Sequence, residues 1–181
     1  MTDRELLARE ETLHAEAGRF LACHRVGQRL APAGRVLVVG SYITGLMVWR
    51  DLDVCVDARA LERAQAWELV SPFVAAADRV RYEDHHEPGD RRHYFVLRLE
   101  GWKLDLSLFV DGIPLEVEAF QDELRSRLDD ETRLAILRLK ELWHRRPEYP
   151  ETVGGFEICQ AVLAGARTSA ELEAFLEAQA W

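Results

Sequence analysis

The sequence predicts an α+β fold in which a strand-bearing first part is followed by a helical half. Three observations carry this. Strand-like apolar runs at Val36 to Val39, Asp51 to Val56 and Trp102 to Val110 are confined to residues 35–110, the last of them in strict alternation. From Pro114 onward the apolar residues recur at intervals of three and four instead. With 181 residues, 48% hydrophobic and 30% charged, the chain is long enough to bury a core and too apolar to be disordered. The change of period near Asp111 to Pro114 divides it into residues 1–112 and 113–181.

Residues 4 to about 31 space Leu6, Leu13, Ala17, Phe20, Cys23, Val26 and Leu30 along one helical face. They predict one long amphipathic helix, or two broken near a glycine, ended by Pro32 and Gly34. A strand over Arg35–Val39 follows. Gly40-Ser41 then opens a short helical turn from about Ile43 to Val48, and a second strand runs from Asp51 to Val56.

A helical segment from about Ala60 carries Leu61, Ala66, Leu69 and Val70. Ser71-Pro72 reads as the cap and first-turn proline of a second short helix. Arg79–Glu83 and His93–Leu99 read as strands joined by the turn-rich Glu87-Pro88-Gly89-Asp90. Trp102–Val110 is the clearest strand: Trp102, Leu104, Leu106, Leu108 and Val110 on one face, Lys103, Asp105, Ser107 and Phe109 on the other.

In the helical half, Val117, Phe120, Leu124 and Leu128 form one stripe. Ala135, Ile136, Leu139, Leu142 and Trp143 form a second, begun by Asp129 or Asp130, and Val153, Phe156, Cys159 and Leu163 a third. Thr168-x-x-Glu171 is a capping box opening a fourth helix with Leu172, Phe175 and Leu176.

The chemistry concentrates in the first part. Asp51 and Asp53 alternate with Leu52, Val54 and Val56, so both carboxylates leave the strand on one face and can share a hard cation while the apolar residues enter a core. Upstream, Gly40-Ser41 is a turn able to hold phosphates. Asp105, alone on the half-polar face of a later strand, is a third candidate carboxylate.

A strand, a Gly-Ser turn, a spacer, an Asp-x-Asp strand and a later carboxylate resemble the signature of the nucleotidyltransferase superfamily typified by DNA polymerase β. The resemblance covers about residues 35–110. It departs from the usual pattern at Arg50, where many members carry serine. It implies a minimal nucleotidyltransferase fold, a mixed twisted sheet with flanking helices. It also implies Mg²⁺-dependent transfer of a nucleoside monophosphate from a triphosphate, most simply ATP, with release of pyrophosphate. Asp51 and Asp53 would hold the metal bound to the triphosphate, and Asp53 and Asp105 a second beneath the acceptor hydroxyl. Asp105 would also be the base. Gly40 and Ser41 would meet the nucleotide's phosphates.

The plan, with helices after the third carboxylate, is similar to that of bacterial aminoglycoside and lincosamide nucleotidyltransferases, which implies a small-molecule acceptor. Two alternatives are an antitoxin-type enzyme adding AMP to a protein and a non-catalytic binding domain of the same fold.

The net charge of −9 argues against a nucleic-acid substrate and favours a cationic small acceptor. No apolar run approaches bilayer length and the N-terminus is polar, so the expectation is a cytoplasmic protein with no membrane contact. Cys23, Cys55 and Cys159 read as buried reduced thiols rather than a disulfide or zinc set. Asp84-His85-His86-Glu87 with His93 reads as structural or substrate-lining rather than a metal site, and Asp57 as a strand-end residue. Lys140 and Arg98 read as solvated or structural charges rather than phosphate partners.

Overall fold

Five strands form one mixed sheet in the computed structural model, which describes residues 1–147, 149 and 152–179. They are β1 (Arg35–Val39), β2 (Asp51–Asp57), β3 (Arg79–His85), β4 (Arg92–Leu99) and β5 (Trp102–Phe109), in the order β1-β2-β5-β4-β3. β2 and β5 run parallel and the other neighbours antiparallel. β5 is the central strand, and every one of its residues is buried. The parallel pair is what sets two of the aspartates side by side.

The N-terminal segment is two helices, α1 (Asp3–Cys23) and α2 (Val26–Leu30), followed by a 3₁₀ turn at Ala31–Ala33. The break falls at Arg25, which is left-handed with φ 49°. Cys23 is exposed, contrary to the expectation of a buried thiol. The stripe Leu13, Ala17, Phe20 continues at position 24 rather than 23, and the His24 ring lies 4.4 Å from that of Phe20. Cys55 and Cys159 are buried and free, as expected.

After β1 the helical turn α3 covers only Ser41–Thr44. Gly45, at φ 67°, ends it. Leu46, Met47 and Val48 therefore lie outside the helix, in irregular chain, yet all three are buried. α4 (Arg63–Val74) starts later than predicted and runs unbroken through Pro72. The proline removes the N–H that would bond the Glu68 carbonyl, but the Ser71 hydroxyl donates to that carbonyl at 2.8 Å, so the last turn survives.

The helical half comprises α5 (Leu115–Arg127), α6 (Asp130–Trp143), α7 (Gly155–Leu163) and α8 (Ser169–Ala178). Asp129 caps α6 by accepting from Thr132 N, and the Thr168–Glu171 capping box opens α8 as predicted. Leu142 stands 59% exposed and drops out of its predicted stripe.

Two cores hold the chain together. One lies on the face of the sheet carrying Leu52, Val54, Leu104 and Leu106, covered by α1 and α4 through Phe20, Val70 and Phe73. The other joins Ile136, Leu139, Trp143, Ile158 and Leu172 of the helical half to Leu46 and Val48. Among the described residues no helix is long and apolar enough to cross a membrane.

Candidate active site

The register of the two parallel strands builds the site. Asp53 pairs with Asp105 across β2 and β5, and Asp51 pairs with Lys103. Alternation sends all four side chains to the face opposite the first core. One carboxylate oxygen from each of Asp51, Asp53 and Asp105 lies within 4.8 Å of the others, close enough to bind a common cation.

Gly40 closes the site from β1. Its φ is 72°, and a Cβ there would stand 2.6 Å from Asp53 Oδ2, so only glycine lets this turn come so near the carboxylate. Ser41 begins α3 beside it. The predicted set of Asp51, Asp53, Asp105, Gly40 and Ser41 thus converges on one cleft of about 550 Å³. Phe120, Gln121, Tyr149 and Phe156 line its helical side, and the Phe120 and Phe156 rings lie 4.5 Å apart.

Three further residues complete the cleft. Lys103 Nζ lies 2.7 Å from Asp105 Oδ2 and 3.3 Å from Asp51 Oδ1. Tyr94 donates its hydroxyl to the same Asp105 Oδ2 at 2.6 Å. Both donors therefore crowd one oxygen of Asp105, while Oδ1 is buried with no hydrogen-bond partner. Lys140, read from the sequence as a solvated or structural charge, is not solvated: it is 2% exposed and donates to Ser41 Oγ at 2.5 Å and to the Leu46 carbonyl at 2.8 Å.

Electrostatics follow from this crowding. Burial, with repulsion from Asp105, pushes the Asp51 carboxyl up to about 6 despite the Lys103 charge. Burial first, then Asp51 and Asp105, holds Asp53 well above the ordinary carboxylate range. Burial disfavours the Lys103 ammonium, but Asp51 and Asp105 more than offset this and hold it above its usual value. Burial lowers Lys140. A site that raises two adjacent carboxyls in this way is short of positive charge.

The all-oxygen donor set, short of positive charge, fits a hard divalent ion, which Asp51 and Asp53 would hold with Asp105 beside them. Such a set suits hard divalent ions and is poorly suited to soft metals.

Other predicted positions lie elsewhere. Asp57 accepts from Arg59 Nε at 3.0 Å at the end of β2. Arg98 is exposed and lies over the Trp49 ring, 5.5 Å from its centroid. The His93 ring is tied to Tyr82 at 3.0 Å and to the Leu61 carbonyl at 3.1 Å, a structural role in keeping with the sequence reading.

Lys103 and Tyr94 were not singled out by sequence. Lys103 shares the predicted face of Asp105, but nothing local says which strand lies beside it. Lys140 did leave a signal: Ile136, Lys140 and Trp143 follow helical spacing, so the lysine sits on the buried stripe of α6.

No family model and no curated protein sequence matches this chain. Solved structures do resemble it. Cid1 poly(U) polymerase with Mg and 3'-dATP bound superposes with a TM-score of 0.62 at 18% identity, over 83% of this chain and 48% of that one. A cytoplasmic RNA terminal U-transferase gives 0.55 at 19% identity, over 83% and 45%. The polymerase core of TRAMP, an RNA surveillance complex, gives 0.53 at 16% identity, over 88% and 54%. The chain spans about half the length of the structures it matches. It has the nucleotidyltransferase fold.

Proposed function

We propose that this protein transfers a nucleoside monophosphate from a nucleoside triphosphate, ATP in the first instance, to a hydroxyl of a small-molecule acceptor. The observation that carries the reading is the meeting of Asp51, Asp53 and Asp105 against the Gly40-Ser41 turn, in a fold shared with nucleotidyltransferases.

In the reaction the acceptor oxygen bonds to the α-phosphorus as the bond from that phosphorus to the bridging oxygen of the β-phosphate breaks. Pyrophosphate leaves with the bonding electrons. Mg²⁺ bound by the aspartates would supply positive charge against the anionic phosphates. Asp105 Oδ1, buried and without a partner, is oriented to take the acceptor proton, because Tyr94 and Lys103 hold the other oxygen. Lys140 and Ser41 grip the triphosphate beside Gly40.

In this reading residues 1–112 carry the donor chemistry, joined by Lys140 from the helical half, and the rest of 113–181 walls the acceptor. Glu116 lines the cleft, and Gln121 Oε1 is buried there without a partner. Two oxygen acceptors from α5 lining the cleft, with the net charge of −9, favour an acceptor rich in N–H or O–H donors. Three free cysteines fit a reducing, cytoplasmic setting.

Calorimetric titration of non-hydrolysable ATP and GTP, with and without Mg²⁺, tests the donor site. Metal-dependent binding lost in Asp53→Asn supports it; no nucleotide binding overturns it. Transfer of label from α-³²P-ATP to aminocyclitols, and not to short RNA, supports the small acceptor. Labelled RNA would overturn that part.

A further inference from the structure

The chain contains only two lysines, Lys103 and Lys140, against twenty-one arginines, and both lysines line the same cleft. Elsewhere the chain meets carboxylates with arginine, as in Arg35–Glu118, Arg63–Asp84 and Arg138–Asp3. At the aspartate cluster it uses the compact ammonium. A guanidinium is a planar fork; an ammonium approximates a point cation and can occupy the space of one.

Lys103 is placed as such a cation would be. Its Nζ bridges Asp51 Oδ1 and Asp105 Oδ2 at 3.3 and 2.7 Å. Its side chain is only 9% exposed, and the ammonium lies 5.7 Å from the centroid of the Trp49 ring. Its position is fixed twice by the fold, since it stands opposite Asp51 in the β2–β5 register and two residues before Asp105 on one face of β5. Three carboxylates and one ammonium leave two negative charges, which a single divalent ion neutralises.

Resting on the reading of the cleft as a nucleotidyl-transfer site, we infer that Lys103 takes the place of a second cation, between Asp51 and Asp105, so that the protein works with one divalent ion per site, the one arriving with the triphosphate. Asp51 and Asp53 hold that ion. Asp105 is compensated by Lys103 and Tyr94 through Oδ2, which leaves Oδ1 for the acceptor proton instead of for a second metal. Lys103 is thus a positioning residue that sets the metal count.

The test counts metal. Mn²⁺ is titrated by equilibrium dialysis into protein saturated with non-hydrolysable ATP, for the parent and for Lys103→Met, which keeps the aliphatic stem and removes the charge. The expected result is one Mn²⁺ per chain in the parent and two in Lys103→Met, with matching circular dichroism. Two Mn²⁺ in the parent, or one in a folded Lys103→Met, overturns the inference while leaving nucleotidyl transfer standing. Should Lys103→Met not fold, the parent count decides alone. Nucleotide-dependent uptake of no Mn²⁺ by either protein overturns both the inference and the reading beneath it.

Discussion

Lys140 and Ser41 are separated by ninety-nine residues of sequence and by 2.5 Å in space. The contact draws a fully buried ammonium from α6 onto the turn that follows β1, beside the three aspartates. A charge is held in such a place at a desolvation cost of several kcal/mol, and here that charge lines the cleft.

Lys140→Met is expected to weaken binding of non-hydrolysable ATP about ten- to hundredfold, the loss of one charge-assisted hydrogen bond worth about 1.5–3 kcal/mol. Affinity for Mn²⁺ alone should not fall, since the lost ammonium repels a cation at Asp51 and Asp53. Isothermal titration of each ligand separates the two effects, and equal losses for both would remove Lys140 from the phosphate site.

Asp53→Asn should stabilise the metal-free protein at pH 8 by about 1–3 kcal/mol, the range for relieving a poorly compensated buried group. Its folded carboxyl is held above its unfolded value, so the stability it contributes is present at low pH and lost as pH rises. As pH is lowered toward 5 the parent carboxyl takes up its proton and the difference should shrink. Urea unfolding in EDTA at both pH values measures it; with Mg²⁺ and nucleotide added at pH 8, the order should invert.

Metal binding should depend on pH through Asp51, pushed up to about 6 chiefly by burial. A divalent ion binds the carboxylate and expels its proton, so affinity should fall as pH drops below 6, by about tenfold per pH unit for each proton released. Mn²⁺ affinity followed by electron paramagnetic resonance from pH 5 to 8 reads this directly. A flat profile would place the ion away from Asp51.

Gly40→Ala should lower stability by about 1–3 kcal/mol through its strained φ and should also displace Asp53, since the new Cβ would stand 2.6 Å from Oδ2. Urea unfolding gives the first effect. A drop in Mn²⁺ affinity larger than in a control Gly89→Ala, where nothing lies within 4 Å, gives the second.

The parts of this site visible in sequence are those set by local periodicity. Alternation fixes Asp51 and Asp53 on one face, and Gly40-Ser41 announces a turn whatever surrounds it. The strands, the capping box at Thr168 and the α+β order were readable for the same reason. Strand order is a long-range property: β1-β2-β5 adjacency, with Asp51 opposite Lys103, is not encoded near either residue. Tyr94 belongs to this class too, since its bond to Asp105 crosses from β4 to β5. Helix ends misled where one side chain reversed a local rule, as the Ser71 hydroxyl does for Pro72. Comparison of folds adds the architecture at identities near 18%, where sequence matching no longer connects the chains.

Leu46 and Val48 lie between α3 and β2, yet their side chains belong to the core built by the C-terminal helices, and α1 is clamped to α6 by Glu10–Arg133 and Arg9–Glu141. A chimaera that exchanges the helical half at residue 113 would strand those two apolar side chains and remove the Lys140 contact with Ser41. A workable graft must carry the 45–48 segment and the outer face of α1 along with the helices. Under the proposed function, new acceptor preferences are therefore more readily reached by substitutions at the cleft residues Glu116, Phe120, Gln121 and Phe156 than by exchange of the helical half.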